Sequence, residues 1–397
     1  MNRTTGRNRS RLFIEAIIVV AIAIAMMTVV PGLLNAIGQS FRVGLLGRFM
    51  ALAIAALGID LIWGYTGILS LGHGLFFALG GYAFTMFLQL QPVPGAMGLQ
   101  TGLQLPNFLV LYGVKELPWL WRPFESLPFT MIAIVLIPTI VAAILGYLVF
   151  RNRIRGVYFS ILTQAALIVF FNFFNGQQKL INGTNGLKTD TTYLFGQLMS
   201  SPTMQANFYY LTIVLLVLAY ALCRWLTSGR FGQLLIAIRD DEPRVRFTGY
   251  DPTVFKVLVF AVSAGLAGIS GALYTVQSGL ITPKVMDIAF SIEMVIWVAV
   301  GGRGTLVGAV LGTLVVNFAR SLLSEQYPAF WLFFQGALFL AVVTVLPDGF
   351  VGWFKTNGIE LIRQFTGKTK VSTYPSLENN PDLDYERQVV SDRKSDG

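Results

Sequence analysis

Charged side chains are scarce in this sequence: Asp, Glu, Lys and Arg make up 12% of its 397 residues. Soluble globular domains carry about twice that fraction. Hydrophobic residues make up 54%, and they cluster in repeated apolar runs of about twenty residues, the length that crosses a bilayer as a helix. We therefore expect an all-α polytopic membrane protein in a lipid bilayer, because the short alternating segments of a transmembrane barrel are missing.

Cysteine and histidine are nearly absent, with one of each, Cys223 and His73. A single cysteine excludes an internal disulfide and argues against a thiolate metal centre, so we expect no metal site. Also missing are the G-x-x-x-x-G-K-[ST] loop that cradles ATP phosphates, the H-E-x-x-H zinc motif and the nucleophile elbow. Nothing in the sequence indicates an enzyme, and we expect this chain to bind no cofactor itself.

Ten apolar segments are read as membrane spans. They lie at about 12–30, 44–63, 73–90, 127–150, 156–175, 207–226, 257–280, 286–300, 304–323 and 331–347. The predicted inner segments ahead of the tail hold fourteen Lys and Arg, whereas the longer outer segments hold seven. By the positive-inside rule this bias puts both termini in the cytoplasm, and it accounts for the net charge of +9 without a nucleic-acid partner.

The spans divide the chain into three parts. Residues 1–11 form a basic cytoplasmic N-terminus, residues 12–350 a transmembrane domain, and residues 351–397 a cytoplasmic tail. The polar, mixed-charge composition of the tail predicts disorder from about residue 367. The first apolar run is too long for a usual signal peptide and lacks a small-x-small cleavage site, so we interpret it as a retained helix.

A glycine-rich stretch without charge lies between the second and third spans. Residues 49–90 as one helix would extend about 63 Å, twice the hydrocarbon core. The chain must therefore turn within "GYTGILSLG", Gly64–Gly72, inside the membrane profile but covered by protein, because lipid satisfies no backbone group. This glycine-rich broken helix either lines a translocation path or forms a close-packed hairpin without solute contact; we favour the path.

Polar groups around this break are the candidate contacts for a solute. The candidate path consists of Asp60, Gly64, Tyr65, Thr66, Gly67, Ser70, Gly72, His73 and Glu293. His73 either hydrogen-bonds a neighbouring helix, the commoner role, or contacts a polar solute. Asp60 either pairs with His73 or caps the broken helix. Glu293 either binds a solute amide or, as we favour, forms an ion pair with Arg303 or Arg320.

Small residues recur at four-residue spacing on two later spans, which lets membrane helices approach backbone to backbone. They are Gly265, Gly268 and Gly271 on one span and Gly304, Gly308 and Gly312 on another. We expect these residues to serve helix packing only.

The long inner loop 227–256 carries an amphipathic segment and a charged cluster that ends near Gly249. The charged residues are Arg239, Asp240, Asp241, Glu242, Arg244 and Arg246. A short charged helix between two spans suits docking of a soluble partner, and the alternative is an ordinary solvated loop. The long outer loops 91–126 and 176–206 are likewise either docking surfaces or plain connectors.

Four motifs resemble those of the larger membrane subunit of ABC importers of the branched-chain amino acid type. They are "GYTGILSLGHGLFFALGGYAF", "FRNRIRGVYFSILTQA", "GRFGQLLIAIRDDEPRVRFTGYDPTVFKVLVFAVSAGLAGISGALY" and "IEMVIWVAVGGRGTLVGAVLG". The resemblance covers about residues 40–350. Within that family the chain is most similar to the permeases of urea importers, through "RGVYFSILTQA", "RDDEPRVRFTGYDP", "WVAVGGRGTLVGAVLG" and the long 91–126 loop.

The resemblance implies the permease architecture of an ABC importer in the inner membrane of a bacterium. Its partners would be a second permease subunit, two cytoplasmic ATPases that use ATP and Mg, and a periplasmic binding protein. Arg239 to Phe247 would form the coupling helix on an ATPase, with Gly249 at the following turn. The ATPases would then move this segment and rock the spans.

The same resemblance leads us to expect urea as the solute. A neutral amide needs donors and acceptors along the path and no fixed charge pair, whereas a zwitterion needs opposite charges or helix ends. The alternatives are a branched-chain amino acid permease, a passive channel and a membrane scaffold that transports nothing.

Overall fold

The computed structural model describes residues 3–39, 42–92, 105–154, 156–327, 331–345 and 349–353. All of these except Trp353 belong to one compact unit, Met1–Gly352, and Trp353–Gly397 is assigned to a second unit. The disorder predicted from about residue 367 falls outside the described residues.

Fifteen α-helices follow one another in the described residues. They are α1 (Arg3–Ala36), α2 (Arg42–Thr66), α3 (His73–Gln89), α4 (Asn107–Leu111), α5 (Leu127–Arg151), α6 (Val157–Gly176), α7 (Gln178–Ile181), α8 (Pro202–Ser228), α9 (Arg230–Asp240), α10 (Glu242–Phe247), α11 (Pro252–Ser278), α12 (Ile288–Gly301), α13 (Leu306–Gln326), α14 (Trp331–Val345) and α15 (Gly349–Trp353). The same ranges contain four short strands in two antiparallel pairs: β1 (Leu187–Lys188) with β4 (Leu280–Ile281), and β2 (Tyr193–Leu194) with β3 (Gln197–Leu198). The predicted all-α class is confirmed, because these strands only tie loops together.

Each of the ten predicted spans corresponds to a helix. Within the part of the chain that the structure describes, seven helices are long and apolar enough to cross a membrane: α1, α2, α5, α6, α8, α11 and α13. The other three, α3, α12 and α14, have 17, 14 and 15 residues. At 1.5 Å per residue α12 extends about 21 Å, less than a hydrocarbon core of about 30 Å. The predicted count of about ten spans is therefore an approximate one.

The centre of the bundle consists of α2, α3 and α11, with α5 beside them. Small residues make this packing possible. A Cβ on Gly271 would lie 1.8 Å from the carbonyl oxygen of Phe77 on α3, and one on Gly268 would lie 2.3 Å from that of Ile134 on α5. Gly265 also faces α5. This face of α11 therefore lies directly against neighbouring backbone, where no larger side chain fits.

The second predicted glycine face is shorter than expected. Gly308 and Gly312 lie on α13 in close contact with Gly301 of α12. Gly304 does not belong to that face, because it lies in the link 302–305 between the two helices with φ of +76°. A positive φ interrupts a right-handed helix, so α12 ends before this link and α13 begins after it.

The two long loops predicted on the outer side contact each other. Trp121 is fully buried and its Nε1 donates a hydrogen bond to the Leu180 carbonyl oxygen at 2.9 Å. The strand pair β1–β4 ties the second loop to the segment that follows α11. The described parts of both loops are therefore folded, and the choice between docking surface and connector stays open.

Candidate functional site

The chain breaks between α2 and α3, as the sequence predicts. α2 ends at Thr66, α3 begins at His73, and residues 67–72 are not helical. Gly67 has φ of +73°, a conformation that glycine adopts without the strain a side chain would bring. The predicted turn within Gly64–Gly72 is confirmed; hereafter residues 67–72 are called the break.

The break runs along α12 into the interior of the bundle. Before it, Gly64 lies against Gly304, where a Cβ on Gly64 would meet the Gly304 nitrogen at 2.6 Å. After it, the N–H of Gly74 donates to Ser291 Oγ at 3.1 Å. Ser291 and Gly301 are separated by about 15 Å along α12. α3 therefore begins about half a hydrocarbon core away from the level at which α2 ends.

Side chains of α6 satisfy the backbone of the break. Ser160 Oγ donates to the Leu69 carbonyl oxygen at 2.6 Å, and the N–H of Leu71 donates to Thr163 Oγ1 at 3.1 Å. A Cβ on Gly72 would meet the Thr163 carbonyl oxygen at 2.8 Å, so the two backbones touch. These bonds replace the intrahelical bonds that the break lacks and that lipid cannot supply.

Ser160 and Thr163 contact the break, and they are not among the site residues predicted from the sequence. Both lie in "RGVYFSILTQA", one of the motifs that carry the family resemblance. The resemblance by itself assigns no contact to these two residues. Their spacing of three places both hydroxyls on one face of a helix. That pattern is the signal that indicates a polar contact between this helix and a neighbour.

His73 forms a hydrogen bond between helices. Its side chain is fully buried, and Nε2 and Ser263 Oγ of α11 are hydrogen-bonded at 2.7 Å. The ring packs edge-on against Phe76 and Phe260. Two roles were considered for His73, and these contacts correspond to the first, a hydrogen bond to a neighbouring helix.

Asp60 connects α2 to the link before α13. Its carboxylate is fully buried, and Oδ1 accepts the N–H of Gly304 at 2.6 Å. The expectation that Asp60 pairs with His73 or caps the broken helix is wrong. Asp60 lies about one turn before Gly64, beside the link, whereas the break carries His73 away from this level.

The hydroxyl groups nearest the break are engaged locally. Thr66 Oγ1 donates to a carbonyl oxygen of α2 at 2.6 Å, and Ser70 Oγ accepts the N–H of Gly72 at 3.4 Å. Tyr65 is half-buried and Gly67 is exposed. The other predicted path residues of this stretch, Thr66, Ser70 and Gly72, are buried. Only Tyr65 and Gly67 among these five therefore keep accessible surface.

Glu293 forms an ion pair with α13. Both of its carboxylate oxygens lie close to Arg320 Nη1, at 2.5 and 2.7 Å. The Glu293 side chain is 6% exposed and that of Arg320 is 42% exposed. Arg303, the other arginine considered, lies over the ring of Trp63 at 5.4 Å from its centre. The charge of Glu293 is therefore balanced by Arg320 between α12 and α13. Among the described residues, no hydrogen bond joins Glu293 to the break.

The loop 227–256 folds into two helices, α9 and α10, hereafter the connector. α9 buries Leu235 and Ile238 and packs against α2 and α8. Asp241 Oδ1 accepts the N–H of Arg244 at 3.1 Å and so caps α10. Gly249 has φ of +88° and forms the turn that follows α10. A short charged helix is therefore present, but it is α10 alone: of the predicted segment from Arg239 to Phe247, Arg239 and Asp240 belong to the last turn of α9, because Asp241 leaves the helical conformation and caps α10.

A buried ion network attaches α10 to the start of α11. Glu242 accepts hydrogen bonds from Lys256 Nζ at 2.5 Å and from Arg246 Nη2 at 2.9 Å. Asp251 caps α11 by accepting the N–H of Thr253 at 3.0 Å, a bond that holds the pKa of Asp251 below its ordinary value. The connector is thus attached to the bundle at both ends.

One arginine of the connector reaches α2 at the start of the break. Arg239 Nη1 donates to the Gly64 carbonyl oxygen at 2.9 Å, and its Nε donates to Asp240 Oδ1 at 3.0 Å. A cavity of about 340 Å³ lies between the connector, the break and the link from α5 to α6. At the end of α10, Phe247 is 92% exposed. The connector therefore contacts the broken helix and also presents an exposed aromatic side chain.

Together these features define a polytopic helical membrane protein that carries a broken helix under protein cover and a helical connector beside it. The family model described as the permease component of branched-chain amino acid transport systems matches residues 41–343. The chain belongs to this family of ABC importer permeases. No solved structure matches the chain.

Three relatives illustrate the similarity. The chain is 25% identical to the high-affinity branched-chain amino acid transport system permease protein LivM of Escherichia coli (strain K12), over 86% of this chain and 75% of the relative. LivM of Salmonella typhimurium is 24% identical over the same shares. The corresponding permease protein LivH of Escherichia coli (strain K12) is 24% identical over 76% of this chain and 91% of the relative. The predicted family is confirmed, whereas these relatives give no support to a urea subtype.

Proposed function

We propose that this chain is one of two membrane-spanning subunits of an ATP-driven importer in a bacterial inner membrane. The contact of Arg239 with Gly64 is the observation that carries the proposal. It links a segment suited to dock a soluble partner with a segment suited to line a path. In this proposal ATP binding and hydrolysis by partner subunits move the connector, and the spans rock to open the path to each side in turn.

The proposal assigns three partner subunits and one binding protein. Similarity to both LivM and LivH, each named as a permease protein of the same kind of transport system, supports a second permease subunit of the same family. Two cytoplasmic ATPases, which use ATP and Mg, dock on the connector, and a periplasmic binding protein delivers the solute. With the connector in the cytoplasm, both termini lie there as well.

A branched-chain amino acid is the first candidate solute. The names of the relatives support this choice. An amino acid carries an ammonium and a carboxylate, and Glu293 with the half-exposed Arg320 offers opposite charges within the bundle. A path for a zwitterion needs opposite charges or helix ends, whereas a path for a neutral amide needs neither.

Urea is the second candidate, favoured by the motifs "RGVYFSILTQA" and "WVAVGGRGTLVGAVLG". The break is compatible with it as well, because its backbone groups and the hydroxyls of Ser160 and Thr163, which bond one another in this structure, carry no fixed charge. A neutral amide pairs with such donors and acceptors.

Uptake by intact cells separates these candidates. Cells with and without this chain receive labelled leucine at micromolar concentration, with unlabelled urea as competitor, and then the reverse combination. Loss of leucine uptake on deletion, unaffected by urea, supports the first candidate. Loss of urea uptake alone supports the second, and unchanged uptake of both contradicts both assignments.

A further inference from the structure

Arg239 lies where the connector meets the broken helix. Its Nη1 donates to the carbonyl oxygen of Gly64 at 2.9 Å, and its side chain is 33% exposed. The last carbonyls of an α-helix have no intrahelical donor, and a cation at this end interacts favourably with the helix dipole. Arg239 therefore caps α2 from a different helix, α9.

The stem of the same side chain fits against Gly67. A Cβ on Gly67 would lie 2.9 Å from Arg239 Cγ and 3.8 Å from Arg239 Cβ. A larger residue at this position would press on the arginine and would also take up a strained φ of +73°. One residue of α9 thus contacts both the end of α2 and the first residue of the break.

Arg239 also lies on the route from the exposed end of the connector to the bundle. It belongs to the last turn of α9, whose Leu235 and Ile238 are buried, and the chain continues directly into α10. Phe247 at the end of α10 is 92% exposed and available to a docked partner. A displacement of α10 would therefore move the C-terminal end of α9, where Arg239 lies.

We propose that Arg239 is a positioning residue that transmits movement of the connector to the break. It holds the end of α2 and Gly67 to α9, so that these three segments move as one body while the partner ATPases act. This inference rests on the proposed function, because it assigns a role within ATP-driven transport. It requires the contact between Arg239 and the broken helix to stay closed during transport.

The geometry allows a covalent replacement of this contact. Disulfides join Cβ atoms about 3.5–4.5 Å apart, and a Cβ at position 67 lies 3.8 Å from that of Arg239. The double variant Gly67→Cys/Arg239→Cys therefore has no contact of the arginine in its reduced form. In its oxidised form a disulfide joins the same two positions. The native Cys223 is buried, and Gly67→Ser/Arg239→Cys is the matched control that cannot form the bridge.

The test uses the complete complex, this chain with its second permease, ATPases and binding protein, in proteoliposomes. Uptake of labelled leucine, or of labelled urea if the wild type accumulates that instead, is measured together with ATP hydrolysis. We expect Arg239→Ala and the reduced double variant to transport about tenfold less solute per ATP hydrolysed, the factor that corresponds to one lost charge-assisted hydrogen bond. Oxidation is expected to restore most of the ratio in the double variant and to change nothing in the control.

Two results would overturn the inference while leaving the proposed function intact. One is an oxidised double variant that hydrolyses ATP but transports nothing until reduced, because the contact then has to open. The other is an unchanged ratio of uptake to hydrolysis in Arg239→Ala, which decides the question even if the double variant does not assemble. Absence of ATP-dependent uptake in the wild type would instead contradict the proposed function and the inference with it.

Discussion

Replacement of Thr163 by valine tests whether α6 holds the break in place. Valine keeps the shape of threonine but removes the oxygen that accepts the N–H of Leu71 at 3.1 Å. An unsatisfied backbone N–H costs about 1–3 kcal/mol when buried. The site is only partly buried, so we expect the lower half of that range. At about 2 °C per kcal/mol for a large domain, the Tm of the purified chain should fall by about 2–4 °C.

The matched control is Thr28→Val. Thr28 donates to the carbonyl oxygen of Ile24 in its own helix and is exposed, so its loss leaves no buried group without a partner. Thermal unfolding in detergent, followed by the fluorescence of the tryptophans, measures both variants side by side. An equal change in Tm for Thr163→Val and Thr28→Val would refute the argument that α6 satisfies the backbone of the break.

Two further substitutions test the packing and the buried charge. Gly271→Ala would place a Cβ 1.8 Å from the Phe77 carbonyl oxygen, so we expect the yield of folded protein to fall sharply. A Cβ on Gly336 would meet no described atom within 4 Å apart from its chain neighbours and the nearby backbone of its own helix, so Gly336→Ala should be neutral or slightly stabilising. Equal yields of the two variants would contradict this argument. Arg320→Met leaves the Glu293 carboxylate without its partner and should cost about 1–3 kcal/mol, below the usual cost of breaking a fully buried pair because Arg320 is 42% exposed. The double variant Glu293→Gln/Arg320→Met should recover part of that loss, and simple additivity of the two single changes in Tm would argue against a coupled pair.

The break was predictable because chain length sets a hard limit. Forty-two residues with so little charge cannot form one span, and glycine marks the place where the helix ends. The helix positions were predictable for a similar reason, because the length of each apolar run along the sequence shows whether it can cross a bilayer. The ion pair of Glu293 was predictable as a class of contact, but the sequence offered two arginines and only packing selects between them.

The partners of Asp60 and His73 were not predictable from the sequence. Asp60 bonds a backbone N–H 244 residues away, and His73 bonds a serine 190 residues away. Such contacts depend on which helices lie side by side, and local patterns of residue type and spacing do not show which helices are neighbours. Local patterns also failed at Gly304, because a four-residue spacing predicts one helix face even where a positive φ interrupts the helix.

The most direct test of an ATP-driven importer is accumulation of solute by the reconstituted complex. Proteoliposomes that contain this chain with its partners and the binding protein receive labelled leucine or urea, with either ATP or a non-hydrolysable analogue on the ATPase side. The account predicts that one solute accumulates above its outside concentration with ATP and does not with the analogue. Equilibration of solute at the same rate under both conditions would contradict it and would identify a passive channel instead.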